Sequence, residues 1–206
     1  MMIFHKAQLA YLAVPKTAST AIEAALAPHA SALLRDPPGL KHSNAKKFDK
    51  KLRAIFEPRG QARLETVAII RDPIDWLGSW YRYRQRPFLR GKPKSTYDHS
   101  FSEFVEAYLS ADQPAFADIG SQARFLTSET GALLVDHLFP YGTLSSFKEF
   151  MQRRLGVSLA LTVENASPVP DGFSTHLDGV LEARLRQHLA RDFEMYQTCW
   201  ARNPEP

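Results

Sequence analysis

Six consecutive residues, Pro15, Lys16, Thr17, Ala18, Ser19 and Thr20, bring together a full positive charge, three hydroxyls and a small side chain. That set suits an oxyanion: the lysine supplies charge, the hydroxyls donate hydrogen bonds, and Ala18 lets the anion approach the backbone. Further on, Arg71 and Ser79 stand eight residues apart. An arginine can grip a phosphate with two parallel hydrogen bonds, and two turns of helix at about 1.5 Å per residue can bring a serine to the same group. Each feature also has an ordinary reading. Lys16-Thr17 can be a solvated polar helix start, and Arg71 can pair with an aspartate while Ser79 merely packs. Taken singly, neither decides between the two.

The surrounding elements favour the anion reading. Leu9–Val14 is a short, nearly continuous apolar run stopped by Pro15, the pattern of a strand buried on both faces. Ser19–Leu26 favours helix, with Ser19 or Thr20 as cap and Pro28 as terminator. Strand, tight loop and helix place unpaired amides and the positive end of the helix dipole at the loop. A second buried strand, Thr66–Ile70, ends at Arg71, and Pro73 starts the next helix. Ligands of open α/β sheets bind where such strands end. Further expectations are a basic helix over 44–56 capped by Ser43 and stopped by Pro58-Arg59-Gly60, and a mobile surface loop over 87–99. Helices over 101–109 and 145–154, a strand over 133–138, a loop over 164–175 and one long helix over 177–196 follow. Strands alternating with helices imply a central parallel sheet covered on both faces, and the length of 206 residues implies a single domain.

Both anion motifs, in this order and each after a strand, resemble those of the PAPS-dependent sulfotransferases (PAPS is 3′-phosphoadenosine 5′-phosphosulfate). Pro15–Thr20 is similar to their 5′-phosphosulfate loop. Arg71-Asp72-Pro73-Ile74-Asp75-Trp76-Leu77-Gly78-Ser79, with Tyr81 beyond it, is similar to their 3′-phosphate motif. Looser similarity to the bacterial, carbohydrate-type members covers Lys41-His42-Ser43, Gln122–Leu126, Leu134–Leu138, Asn165–Ser167 and Arg191–Tyr196. The chain departs at Ala18, where the family often has glycine, and at Pro140–Leu144, where a glutamate is often found. The resemblance implies a P-loop NTPase-like three-layer α/β fold and in-line transfer of the sulfuryl group from PAPS to a hydroxyl acceptor, a small molecule or a glycan, releasing PAP. Pro15, Lys16, Thr17, Ala18, Ser19 and Thr20 would hold the 5′ end, and Arg71 and Ser79 the 3′-phosphate. Lys16 would neutralise the leaving oxygen. His42 is the expected base, because an imidazole titrates near neutral pH, with Glu23 as the weaker alternative. No metal is required.

Other features narrow the classes. The net charge of +4 is mild; it suits an anionic ligand and would also suit weak nucleic-acid binding, so it does not choose between them, and no nucleic-acid partner is expected. A single cysteine, Cys199, excludes an internal disulfide and reads as an inert buried residue. No secretory or membrane-spanning run is visible, which points to the cytoplasm. Trp76, Trp80, Tyr81 and Tyr83 share a helical spacing read as a core face rather than a stacking platform. Arg82, Arg84, Arg86, Arg90, Lys92 and Lys94 either line a groove for an anionic substrate or form a solvated face. Two competing functions remain. A small-molecule kinase or NTPase would use Lys16-Thr17 and Asp72, although residues 10–15 lack the glycines a Walker A loop needs. A catalytically silent nucleotide-binding protein would keep the fold and lack transfer.

Overall fold

The computed structural model describes residues 1–57, 62–160 and 173–203. Its centre is a five-stranded sheet: β1 (Met2–Phe4), β2 (Leu9–Leu12), β3 (Ala32–Leu33), β4 (Glu65–Ile70) and β5 (His137–Pro140). The spatial order is β3-β1-β2-β4-β5. β2, β4 and β5 run parallel, with Leu12 opposite Ala68 and Ile70 opposite Pro140. The expected all-parallel sheet is corrected at the other edge, where β1 pairs antiparallel with both β2 and β3. The reason is chain length. Only residues 5–8 join β1 to β2, enough for a hairpin but far short of the dozen or so residues a parallel crossover needs.

The sheet is buried on both faces, and its pleat sorts the core. Phe4, Leu9, Tyr11, Val67 and Ile69 pack on one side against Ile22 and Leu26 of α1 (Ser19–Leu26) and Phe147 and Met151 of α8 (Leu144–Leu155). Their neighbours Ile3, Ala10, Leu12, Ala68 and Ile70 face the other way. There they meet Phe48, Leu126 and Met195. Near-continuous apolar strands are the signature of such two-sided burial. A third cluster joins Trp76, Leu77 and Tyr81 to Phe104, Val105, Leu181 and Leu185, from two further helices.

Between α1 and β4 lie three short helical pieces: α2 (Pro38–Lys41), α3 (Ala45–Lys47) and α4 (Arg53–Phe56), with a π-helical turn over Phe48–Leu52. The basic helix expected over 44–56 is thus interrupted, and its cap is Asn44, whose Oδ1 accepts from the Lys47 amide at 2.8 Å. Ser43 instead donates its hydroxyl back to Leu40 and Gly39 carbonyls. The expected terminator Pro58-Arg59-Gly60, the echo Asn165–Ser167 and most of the loop over 164–175 lie outside the described residues.

α5 (Pro73–Arg84) starts as expected, capped by Asp72, whose Oδ1 accepts from the Ile74 and Asp75 amides. α6 (Phe101–Leu109) carries a full capping box between Ser100 and Glu103. The segment over 87–99 is more anchored than expected: Thr96 is buried and donates to the Tyr81 carbonyl at 2.8 Å. After the short α7 (Gln122–Leu126), the strand expected over 133–138 begins only at His137, because Leu133 bridges Thr127 instead. Asp136 then clamps the start of β4, accepting from both the amide and hydroxyl of Thr66 at 2.7 Å. The expected long C-terminal helix is two, α9 (Gly179–His188) and α10 (Ala190–Arg202), broken at Leu189, a core residue with non-helical backbone. Cys199 is buried on α10, and burial pushes its thiol up to about 12. Among the described residues, no helix is long and apolar enough to cross a membrane.

Candidate functional site

The loop between β2 and α1 departs from ordinary backbone at two alternating positions: Lys16 has φ of 66° and Ala18 φ of 56°. Left-handed residues interspersed in a turn aim successive amides into a shared hollow, an anion-binding arrangement. Ala18, not Ser19 or Thr20, is the N-cap of α1, and no side chain caps the helix. The expected hydroxyl cap is therefore replaced by backbone geometry, and Ser19 and Thr20 line the cleft. Thr17 points the other way. It is fully buried, and its Oγ1 donates to the Val14 carbonyl at 2.9 Å, so it braces the loop from below. Trp76 braces it from α5 by donating Nε1 to the Pro15 carbonyl at 2.9 Å.

Arg71 leaves the end of β4, next to β2, and reaches back to the loop: its Nη1 donates to the Lys16 carbonyl at 3.2 Å. Its Nε pairs with Asp75, one helical turn on, and its guanidinium lies 4.3 Å from the Tyr141 ring centroid. The Arg71 backbone is held as firmly as its side chain. Gln122 accepts from the Arg71 amide at 2.9 Å and donates to the Arg71 carbonyl at 2.8 Å, as a neighbouring strand would. The next amide, Ala123, donates to the buried Asp192 at 3.0 Å. Two of the looser sequence echoes, Gln122–Leu126 and Arg191–Tyr196, thus form a second layer behind Arg71. Replacing Gln122 with leucine leaves both Arg71 backbone groups unmatched, at about 1–3 kcal/mol for each buried group. Gln122→Leu should therefore lower the unfolding midpoint by several degrees and weaken anion binding at Arg71. Thermal melts of both proteins check the first effect.

A cleft of about 1040 Å³ gathers Pro15, Lys16, Ala18, Ser19, Thr20, Arg71, Ser79 and His42 on one lining. Of the residues singled out from sequence for cofactor binding or catalysis, Thr17 and the alternative base Glu23 are absent from it. Arg82, Arg84, Arg86 and Lys94 also line the cleft, which resolves the basic stretch toward a groove. Arg90 instead lies 3.6 Å from the Tyr97 ring centroid, and Lys92 is exposed. The core-face reading of the aromatic stripe holds for Trp76 and Tyr81, which are buried, but Trp80 and Tyr83 line the cleft. The helix is wide enough to bury one stripe and present a second, so spacing alone could not separate them. Tyr141 and Phe173-Ser174-Thr175 complete the wall and were not foreseen. Gly78 admits the last segment: a Cβ there would meet the Thr175 methyl at 2.6 Å.

The electrostatics are one-sided. Among the described lining residues Asp75 is the sole carboxylate, and it is paired with Arg71. Burial, and then the charges of Arg86, Arg71 and Arg82, push the Lys16 ammonium down to about 7. Burial also holds Arg82 below its usual value, and both Arg82 Nε and Trp80 Nε1 are buried without a hydrogen-bond partner among the described residues. His42 also lines the cleft, its Nδ1 2.7 Å from the Ala13 carbonyl. A carbonyl only accepts, so Nδ1 carries the proton and Nε2 keeps its lone pair. Burial outweighs that contact and lowers the imidazole below its ordinary value. Glu23 is outside the lining. Burial opposes its charge, but hydrogen bonds from Lys41 and Arg35, at 3.0 and 2.8 Å, hold it below the usual carboxylate range. Such a carboxylate is a poor base. Among the described residues no trio of His, Cys, Asp or Glu is placed to hold a metal ion.

No curated protein and no solved structure matches the chain. A family model described as the sulfotransferase family matches residues 1–152, which hold the five strands, the loop after β2 and α5, and with them Lys16, His42, Arg71 and Ser79. A match over well more than half of the chain, centred on the elements that build the cleft, makes this protein a member of the sulfotransferase family, and so a transferase of sulfuryl groups.

Proposed function

We propose that the chain moves the sulfuryl group of PAPS to a hydroxyl of a small-molecule or glycan acceptor and releases PAP. One observation carries this reading: Lys16 and Arg71, at the ends of adjacent parallel strands, are joined by a hydrogen bond and face a single cleft. A nucleotide phosphorylated at both ends needs a cation at each. The succession β2, anion loop, α1, followed by parallel β4 and β5, supports a P-loop NTPase-like architecture. The lining also fits the group. The cleft is of the size that holds a nucleotide, is cationic, and offers the unmatched donors Arg82 Nε and Trp80 Nε1.

When bound, PAPS supplies the sulfuryl group, whose bond to the 5′-phosphate oxygen breaks as the acceptor oxygen bonds to sulfur. The amides of the left-handed loop, with the Ser19 and Thr20 hydroxyls, hold the 5′-phosphate. Arg71 and Ser79 hold the 3′-phosphate, the group that tells PAPS from ATP. Lys16 stabilises the charge that gathers on the departing oxygen, which is electrostatic catalysis of the kind phosphoryl transfer uses. His42 Nε2 takes the acceptor proton.

Two titrations follow. His42 must be neutral, so kcat/KM rises with pH through a value below the ordinary 6.5. Lys16 must be charged, so kcat/KM falls as pH rises above about 7. The expected profile is a bell whose alkaline limb falls above about 7 and whose acid limb lies below the ordinary histidine value. His42→Gln should remove its acid limb and keep PAP binding. An acid limb that survives takes His42 out of the mechanism.

The test of the whole reading is stabilisation by PAP without magnesium. At a hundred times its Kd a ligand adds about 2.7 kcal/mol, a rise of roughly 5–10 °C for a chain of this size. No rise at millimolar PAP, or a larger one with magnesium ATP, would overturn it. PAP binding without transfer of labelled sulfate from PAPS to any component of a metabolite extract would leave the silent nucleotide-binding protein.

A further inference from the structure

Lys16 is the cation that every version of this chemistry uses, yet its ammonium makes no ion pair and no hydrogen bond among the described residues. Its contacts are rings. Nζ lies 4.0 Å from the centroid of Tyr83 and 5.7 Å from that of Trp80. Both rings belong to α5, the helix that also carries Ser79, and Tyr83 lies beyond the stretch that resembles a sulfotransferase motif. Trp80 and Phe88 hold the Tyr83 ring edge-on, with centroids at 6.0 and 6.2 Å. Arg86 lies 5.0 Å from the same centroid.

Resting on the reading of Lys16 as the leaving-group cation, we propose that Tyr83 is a positioning residue: its ring face seats the Lys16 ammonium in the cleft, and an anion bound at the loop draws the ammonium off it. The contact has the geometry of a cation–π pair, and the distance makes Tyr83 rather than Trp80 the seat. A full anion attracts the ammonium more strongly than a ring does at the same depth. The ring therefore holds the lysine inside the cleft without competing with the ligand. The seat also explains how a lone cation persists in a lining crowded with Arg71, Arg82 and Arg86. Those charges and burial favour its neutral form, and the ring face offsets part of that pressure. The left-handed backbone at Lys16 directs the side chain toward α5 rather than along α1.

The test follows the lysine itself. Protein labelled with carbon-13 at lysine Cε gives one resonance per lysine, and Lys16→Arg identifies the one in question. Ring current should place the Lys16 protons upfield of those of exposed lysines. Tyr83→Phe should keep that position, and Tyr83→Leu should return it to the exposed range. Saturating PAP should move the wild-type resonance downfield, with the melting temperature followed on the same sample. A Lys16 resonance at the exposed position in the empty protein, or the same position in wild type and Tyr83→Leu, overturns the seat. If PAP raises the melting temperature but leaves the resonance upfield, the drawing-off fails while the donor assignment stands. If PAP does not raise the melting temperature, the donor assignment fails, and the empty-protein spectra alone decide the seat. Should Tyr83→Leu not fold, the Tyr83→Phe and wild-type spectra still decide.

Discussion

Lys16→Ala is expected to cut sulfuryl transfer by roughly 10²–10³ while the protein folds as before. The charge on the leaving oxygen exists only as the S–O bond breaks, so an ammonium aimed there acts on the transition state more than on the bound ground state. Removing one preorganised group that stabilises such a charge costs about 3–4 kcal/mol in comparable sites. PAP affinity should fall by less, because the loop amides and Arg71 remain. Folding should be spared for three reasons. The ammonium makes no ion pair among the described residues, its burial disfavours its charge, and alanine is no worse than lysine at a φ of 66°. Single-turnover release of labelled sulfate, read beside the melting curve, checks both halves. Turnover near the wild-type rate would remove Lys16 from the chemistry.

Arg71→Ala should weaken PAP binding by about 10–150-fold, the loss of one strong charged contact of about 1.5–3 kcal/mol. The loss should be selective. AMP lacks the 3′-phosphate, so its affinity should change little, and the preference for PAP over AMP should collapse. Arg71→Lys should not restore it, because an ammonium cannot reproduce the planar two-pronged grip or the stacking on Tyr141. The partner left behind is half exposed: the Asp75 side chain is 44% accessible, so water can take over from the lost guanidinium and the fold should survive. Competition titrations of PAP and AMP on both proteins measure the effect. An equal loss for the two nucleotides would place the 3′-phosphate elsewhere.

Much of the core and one half of the site were legible because they are local. The apolar run Leu9–Val14 reads as a strand buried on both faces; all of it is buried, and Leu9–Leu12 forms β2. Pro73 and Asp72 start α5 where their chemistry requires, and Gly156, at φ 69°, ends α8. The hairpin β1–β2 escaped notice because three apolar residues at the start of a chain carry too little pattern to mark a strand. The break at Leu189 left no proline or glycine to announce it. Trp80 and Tyr83 went to the core on spacing, although only tertiary packing decides which stripe of a buried helix meets another helix and which meets a cleft.

By itself the sequence specified the two motifs read as anion sites, their order, and the strand and helix carrying each, since turn chemistry, capping and apolar patterning act over a few residues. Pairing decided the rest. Only the folded chain could set β2 beside β4 and bring Lys16 within reach of Arg71, lock the Arg71 backbone with Gln122 across 51 residues, and slide Tyr141 under its guanidinium. Contacts between residues so far apart in the chain depend on which strands become neighbours, and no local propensity encodes that choice.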